Sequence, residues 1–232
     1  MRYERQIGYL GEDGQKRLQN ATVTVAGCGG LGCNVITQLA LAGIGRIRII
    51  DMDTISESNL NRQFVHCGND GSKVKSMSEW IGKISEAEVE EFDERIDDNN
   101  IERMIDGSDI IIDCLDNNSA RSILNKVSLR KNIPLIHGGV NRMYGQVLLM
   151  IPGRTACLDC IMIKDDDDKQ VIGAAASVIG SIQAAEAIKF ITGKGTTLEG
   201  RLLIVDLEND EFKVIPISRR KDCKSCQTFS ST

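Results

Sequence analysis

The stretch from Thr22 to Asp53, TVTVAGCGGLGCNVITQLALAGIGRIRIIDMD, constrains the chain more than any other. A β-branched run (Thr22 to Ala26) leads into Gly27, Gly29 and Gly32, the GxGxxG spacing. Such glycines let the backbone turn sharply after a strand and let a ligand approach the main chain. The next segment, Leu31 to Ala42, has the composition of a helix whose N-terminus would offer unpaired N–H groups and a positive dipole end at the same point. RIRIID then returns as a second strand and delivers Asp51 at its carboxyl end, where an acid accepts hydrogen bonds from ribose hydroxyls. Strand, loop, helix, strand and acid in this order predict a nucleotide-binding βαβ unit.

The rest of the chain extends this unit. EVEEFDERI reads as a third, polar strand near a sheet edge, and DIIIDCL (109–115) as a buried strand ending in Asp116 and Asn117. Asn117 to Ser119 can cap the helix ARSILNKVSLRK. PLIHGG is a fifth strand. QVLLMIP, RLLIVDL and EFKVIPI follow, the last two joined by so short a turn that they must pair antiparallel. The expected fold is therefore α/β: a Rossmann-like parallel half continuing into an antiparallel half in one mixed sheet. GAAASVIGSIQAAEAIKFITG reads as a helix packed tightly on that sheet. Residues 1–20 read as a solvated arm around a short helix, GEDGQKRLQ. No repeat or Pro/Ser-rich linker divides the chain, so a single domain over 1–232 is expected.

The polar stretch 53–76 carries Asn59, Arg62, Gln63, Lys73 and Lys75, cations and amides that can sit beside the glycine loop where an anion would lie. Asp51 and Asp116 each fall just past the carboxyl end of a parallel strand, the position at which open α/β sheets bind ligands. Asp116 can hold Mg²⁺ through one oxygen. An acid for ribose, cations for phosphates and an acid for a metal suit ATP better than a nicotinamide cofactor. Asp113, inside its strand, reads as an orienting residue, and His66 and His137, the 2 histidines, as core or loop residues.

Two CxxC pairs, Cys157/Cys160 and Cys223/Cys226, have the spacing of zinc knuckles. Four sulfur ligands leave no open position, so the expected metal is structural. Cys28, Cys33 and Cys114 read as small buried hydrophobes, and Cys67 as the thiol of a polar loop. The formal net charge of −5 argues against nucleic-acid or anionic-membrane partners. No window looks apolar for long enough to cross a bilayer, and MRYERQ is not a secretory signal. A cytoplasmic protein is expected. The acidic run Asp165–Lys169 is expected to be a solvated loop.

GCGGLG, DMD, SNLNRQF, SKVKS, DCLDN and the paired CxxC motifs, in this order, resemble the superfamily of ubiquitin-activating enzymes, in its MoeB/ThiF/HesA branch. The resemblance runs from RYERQIG to the second CxxC. It implies ATP- and Mg²⁺-dependent adenylation of the C-terminal glycine of a small β-grasp ubiquitin-like or sulfur-carrier protein ending in Gly-Gly, with release of pyrophosphate, by a homodimer. By position it implies that Gly27, Gly29, Gly30 and Gly32 underlie the nucleotide and that Asp51 holds the ribose, with Asp53 and Asn117 beside them. Asn59, Arg62, Gln63 and Lys75 would surround the phosphates, with Lys73 the alternative lysine. Asp116 would bind magnesium, and Arg5 would reach the phosphates from the other subunit. Relatives that go on to a thioester carry a cysteine between the first CxxC and the long helix. Ile161 to Gly173 has none, which favours adenylation alone. The alternatives are adenylation of a peptide by the same site and a non-catalytic scaffold.

Overall fold

The computed structural model describes residues 2–161 and 170–227. The acidic run Asp165–Lys169 lies outside them. The chain runs α1 (Glu4–Asn20), β1 (Thr22–Ala26), α2 (Gly30–Ala42), β2 (Arg46–Ile50), α3 (Lys73–Ile84), β3 (Glu88–Phe92), α4 (Ile101–Met104), β4 (Ile110–Asp113) and α5 (Asn118–Lys131). It continues with β5 (Leu135–Asn141), β6 (Tyr144–Met150), α6 (Leu158–Ile161), α7 (Gly173–Thr192), β7 (Arg201–Asp206), β8 (Glu211–Pro216) and α8 (Lys224–Gln227).

The strands form one 8-stranded sheet in the order β3-β2-β1-β4-β5-β6-β7-β8. Pairings from β3 through β5 are parallel and those from β5 through β8 antiparallel, so the mixed sheet follows the sequence pattern. The polar strand β3 takes the expected edge. There its register sets Glu88 against Arg46 and Glu90 against Arg48, with ion pairs of 2.8 and 3.1 Å.

Strand side chains alternate between two cores. Val23, Val25, Ile47, Ile49 and Ile112 pack with Leu18, Ile36, Val74 and Ile179 of α1, α2, α3 and α7. Ala26, Ile50 and Ile111 face the other layer, with Met104, Leu124 and Leu158. The result is helices on both faces of the sheet, as a buried parallel sheet requires.

Two expectations are corrected. Residues 4–20 are not a solvated arm: α1 is a longer helix kinked at Gly11 (φ 76°), with Leu10, Gln15 and Leu18 buried. It has a structural task, because Gln6 and Gln15 donate to the carbonyl of Ala42 at 2.7 and 3.1 Å and so satisfy the C-terminus of α2. The second concerns α7, which by length and composition is apolar enough to cross a bilayer. In the fold it is the central core helix, packed against α1, α2, β5 and β6. Its Ala and Gly residues serve that close packing: a Cβ on Gly180 would lie 2.8 Å from the carbonyl oxygen of Leu31 in α2.

The glycine unit admits no side chain at its crossing. A Cβ on Gly32 would lie 1.9 Å from the carbonyl oxygen of Gly27. Gly32→Ala is therefore expected to destabilise the protein by about 3 kcal/mol or more, or to prevent folding. Gly82, in α3 with nothing within 4 Å, is the control. Gly82→Ala should stabilise by roughly 0.5–1 kcal/mol. Urea denaturation of the two variants checks both signs.

Candidate functional site

The carboxyl ends of β1, β2 and β4 and the N-termini of α2, α3, α5 and α7 open onto one cleft of about 990 Å³. Gly27, Gly29, Gly30 and Leu31 form its floor at the start of α2. Gly27 needs its positive φ of 102°, and a Cβ there would meet the carbonyl oxygen of Cys114 at 2.6 Å. Gly29 is the N-cap of α2 and has no side chain to satisfy the first-turn amides, which leaves them for a bound anion.

Asp51 sits at the end of β2 on the cleft wall. Its Oδ2 accepts from the Cys28 amide at 2.7 Å and its Oδ1 from the Asp53 amide at 2.8 Å. Burial pushes this carboxyl above its ordinary pKa, while the two amides work in the opposite direction. The loop is also held from behind. The buried His66 lies with Nε2 2.9 Å from the Cys28 carbonyl oxygen and Nδ1 2.9 Å from Ser76 Oγ. A neutral imidazole satisfies both contacts, with Nε2–H donating to the carbonyl and Nδ1 accepting from the serine.

The cations arrive from the turn after β2 and from α3. Arg62 and the buried Gln63 line the cleft. Asn59 does not line it but stands behind Arg62, with Oδ1 accepting from Nη2 at 2.8 Å. Gln63 Oε1 is shielded from solvent and has no hydrogen-bond partner among the described residues. Of the two lysines the structure places Lys73 in the cleft, buried and paired through Nζ with Asp53 Oδ2 at 2.8 Å. Lys75 is exposed and does not line the cleft. Arg5 is exposed on α1 and outside this chain's cleft.

Asp116 and Asn117 line the opposite wall on the turn between β4 and α5. Asn117 caps α5, its Oδ1 accepting from the Ala120 amide at 2.9 Å. Beneath them lies a network the sequence reading did not assemble. Buried Asp113 accepts from His137 Nδ1 at 2.7 Å, Arg121 Nε at 2.9 Å and the Leu115 amide at 3.0 Å. Burial alone would raise this carboxyl; the bond from His137 and the charge of Arg121 outweigh it and hold it below the ordinary range. Arg121 had one signal in the sequence: a cation in the first turn of a helix opposes the dipole and so needs a carboxylate partner.

Cys28, Cys33 and Cys114 are buried as expected, and burial raises all three thiols, Cys33 to about 12. None is a thiolate near neutral pH. Cys67 is exposed.

The two CxxC pairs meet on α6 and at α8. The Sγ atoms of Cys157, Cys160, Cys223 and Cys226 all lie within 4.8 Å of one another, with individual separations of 3.9, 3.6 and 3.6 Å. Four sulfurs around one ion at a Zn–S distance of about 2.3 Å would be about 3.8 Å apart. The buried donor set fits zinc.

A glycine-floored cleft at the carboxyl ends of parallel strands, with an acid on one wall and cations on another, defines a nucleotide-binding α/β enzyme. The chain belongs to the ThiF family, a family of ATP-dependent adenylyltransferases, which it matches over residues 3–227. It is 34% identical over 238 residues to the SAMP-activating enzyme E1 of Haloferax volcanii, covering 97% of this chain and 88% of that protein. It is 35% identical over 241 residues to the adenylyltransferase and sulfurtransferase MOCS3 of Drosophila sechellia, covering 97% of this chain. The alignment spans 53% of MOCS3, about half its length. Among solved structures, E. coli MccB with ATP superposes with a TM-score of 0.88 at 26% identity, covering 98% of this chain and 75% of that one.

The buried His66 generates a pH prediction. Burial holds its pKa below the ordinary value of 6.5. The unfolded chain therefore takes up the proton first, and stability present above that value is lost as pH falls. The melting temperature should drop more between about pH 7.5 and about pH 5.5 in the wild type than in His66→Gln. Equal drops in thermal melts would contradict the neutral, buried assignment.

Proposed function

We propose that this chain adenylates the C-terminal carboxylate of a small β-grasp ubiquitin-like or sulfur-carrier protein ending in Gly-Gly, in the cytoplasm, releasing pyrophosphate. The observation that carries the reading is the placement of Lys73 and Arg62 beside the glycine loop, facing Asp116 across one cleft. Attack of a carboxylate on an α-phosphate brings two anions together. Arg62, Lys73 and the first-turn amides of α2 screen that repulsion and stabilise the charge that develops. No general base is needed, since a C-terminal carboxylate is already ionised at neutral pH.

In this reading Asp51 orients the ribose, and Gln63 lines the cleft beside Arg62 at the phosphates. Asp116 would hold Mg²⁺, which when bound neutralises phosphate charge; its hard carboxylate oxygen suits that ion. Arg5 would serve the site of a second copy in a homodimer. Cys157, Cys160, Cys223 and Cys226 would hold a structural zinc that ties the C-terminal segment to α6. Cys28, Cys33 and Cys114 are buried and Ile161 to Gly173 carries no cysteine, so the reading stops at the acyl-adenylate; exposed Cys67 is the thiol a thioester would have to use.

A peptide is the second reading, favoured by the likeness to MccB, solved also in complex with N-formylated MccA. The carrier protein is preferred because identity to the activating enzyme and MOCS3 is 34–35%, against 25–26% to MccB.

Carrier-dependent exchange of pyrophosphate into ATP tests the site. Lys73→Ala and Arg62→Ala should each lower it by about two orders of magnitude. Lys75→Ala should stay within about twofold of wild type, because exposed charges contribute little. Exchange lost in Lys75→Ala and kept in Lys73→Ala would contradict the placement. For the metal, purified protein should contain about one zinc per chain, and Cys157→Ser or Cys226→Ser should lower zinc content and melting temperature together. Metal-free protein that melts like the zinc-loaded form would remove the claim.

A further inference from the structure

We propose that Arg121 is a positioning residue of this site: its three hydrogen bonds to the turn between β4 and α5 fix the place from which Asp116 meets the nucleotide's metal. The inference rests on the reading of Asp116 as the magnesium residue.

The guanidinium spends each of its nitrogens on a different point of that turn. Nε donates to Asp113 Oδ2 at 2.9 Å, Nη1 to Asn118 Oδ1 at 2.7 Å and Nη2 to the Leu115 carbonyl oxygen at 2.5 Å. These three acceptors bracket Asp116 in sequence on both sides. The anchor beneath is buried and bonded from two other elements. Asp113 is fully buried on β4 and tied to His137 on β5 at 2.7 Å, and the Gln183 side chain of α7 donates to its carbonyl oxygen at 2.9 Å. His137 Nε2 in turn lies 3.2 Å from Gln146 Nε2 on β6. Asp116 stands on the cleft wall between these acceptors in the chain, so the backbone of the turn sets where its side chain begins.

The cost of the arrangement argues for a purpose beyond holding the fold. Arg121 is only 11% exposed and lies in the first turn of α5, where the helix dipole disfavours a cation. Asn117 already caps that helix, so α5 does not need the guanidinium to start. A lysine could keep the charge opposite Asp113 but has one nitrogen on a flexible stem and cannot make the fork of three bonds.

The test is Mn²⁺ binding read by electron paramagnetic resonance in the presence of a non-hydrolysable ATP analogue. It compares wild type, Asp116→Ala, Arg121→Lys, Asn118→Ala and the double variant Asp116→Ala/Arg121→Lys. Arg121→Lys should weaken Mn²⁺ in the ternary complex by about tenfold, the low end of what removing a support of a metal ligand costs. Its affinity for the analogue without metal should change by less than about twofold, since the glycine loop and Asp51 are untouched. The double variant should bind Mn²⁺ no more weakly than Asp116→Ala, because Arg121 acts through that carboxylate. Wild-type Mn²⁺ affinity in folded Arg121→Lys, or a further loss in the double variant, would overturn the proposal. Should Arg121→Lys fail to fold, Asn118→Ala removes one bond of the three and should weaken Mn²⁺ by roughly threefold; no change there would overturn it equally. Wild-type Mn²⁺ affinity in Asp116→Ala would instead strike the magnesium assignment itself, and Arg121's role with it.

Discussion

Gly32 passes so close to the carbonyl of Gly27 that no side chain fits between them, and the site depends on that contact. It brings the first turn of α2 directly over the end of β1, so the amides of the helix start face the same space as Asp51 on β2. Parallel pairing then does the rest. With β1, β2 and β4 aligned, each following helix begins at the same edge of the sheet, and α3 and α5 open onto the cleft that α2 has defined. A side chain at Gly32 would push α2 away from β1 and separate the anion-binding amides from the acid.

That convergence has an electrostatic consequence. The positive ends of α2, α3, α5 and α7 gather around one cleft, which suits polyphosphate and disfavours cations. Lys73 and Arg121 nevertheless lie in the first turns of α3 and α5, and each is balanced by one carboxylate, Asp53 or Asp113. Each pair holds a cation against the local field, which is costly in stability and gives a fixed geometry in return. The four-cysteine cluster lies in the other layer, among Leu158, Leu124 and Ile217, where it closes the core beneath α5.

Much of this was legible in the sequence because the determining patterns are local. Strand, glycine loop, helix and acid are contiguous between Thr22 and Asp53. The acidic strand β3 could only be an edge, and the short turn between β7 and β8 forces an antiparallel hairpin. Paired CxxC spacing brought the four cysteines together before any fold was known. What was not legible depends on direction or on distant partners. Lys73 and Lys75 are two residues apart, so on a helix they point about 200° from each other, and only the docking of α3 decides which one enters the cleft. Asp113, Arg121 and His137 lie on three elements, and nothing local joins them. The α1 segment looked solvated because its buried contacts are with the end of α2 and with α7. The composition of α7 is also that of a bilayer-crossing helix, but its small residues already marked it as a helix packed tightly on the sheet, and it packs there.

The central claim is that the cleft directs a carboxylate to the α-phosphate of ATP. The products of the first turnover test it most directly, followed by phosphorus NMR with ATP, Mg²⁺ and a carrier protein ending in Gly-Gly. The account predicts one pyrophosphate per active site, with the AMP moiety retained on the carrier as an acyl-adenylate that hydroxylamine releases. Formation of ADP and orthophosphate instead would place the attack at the γ-phosphate and contradict it.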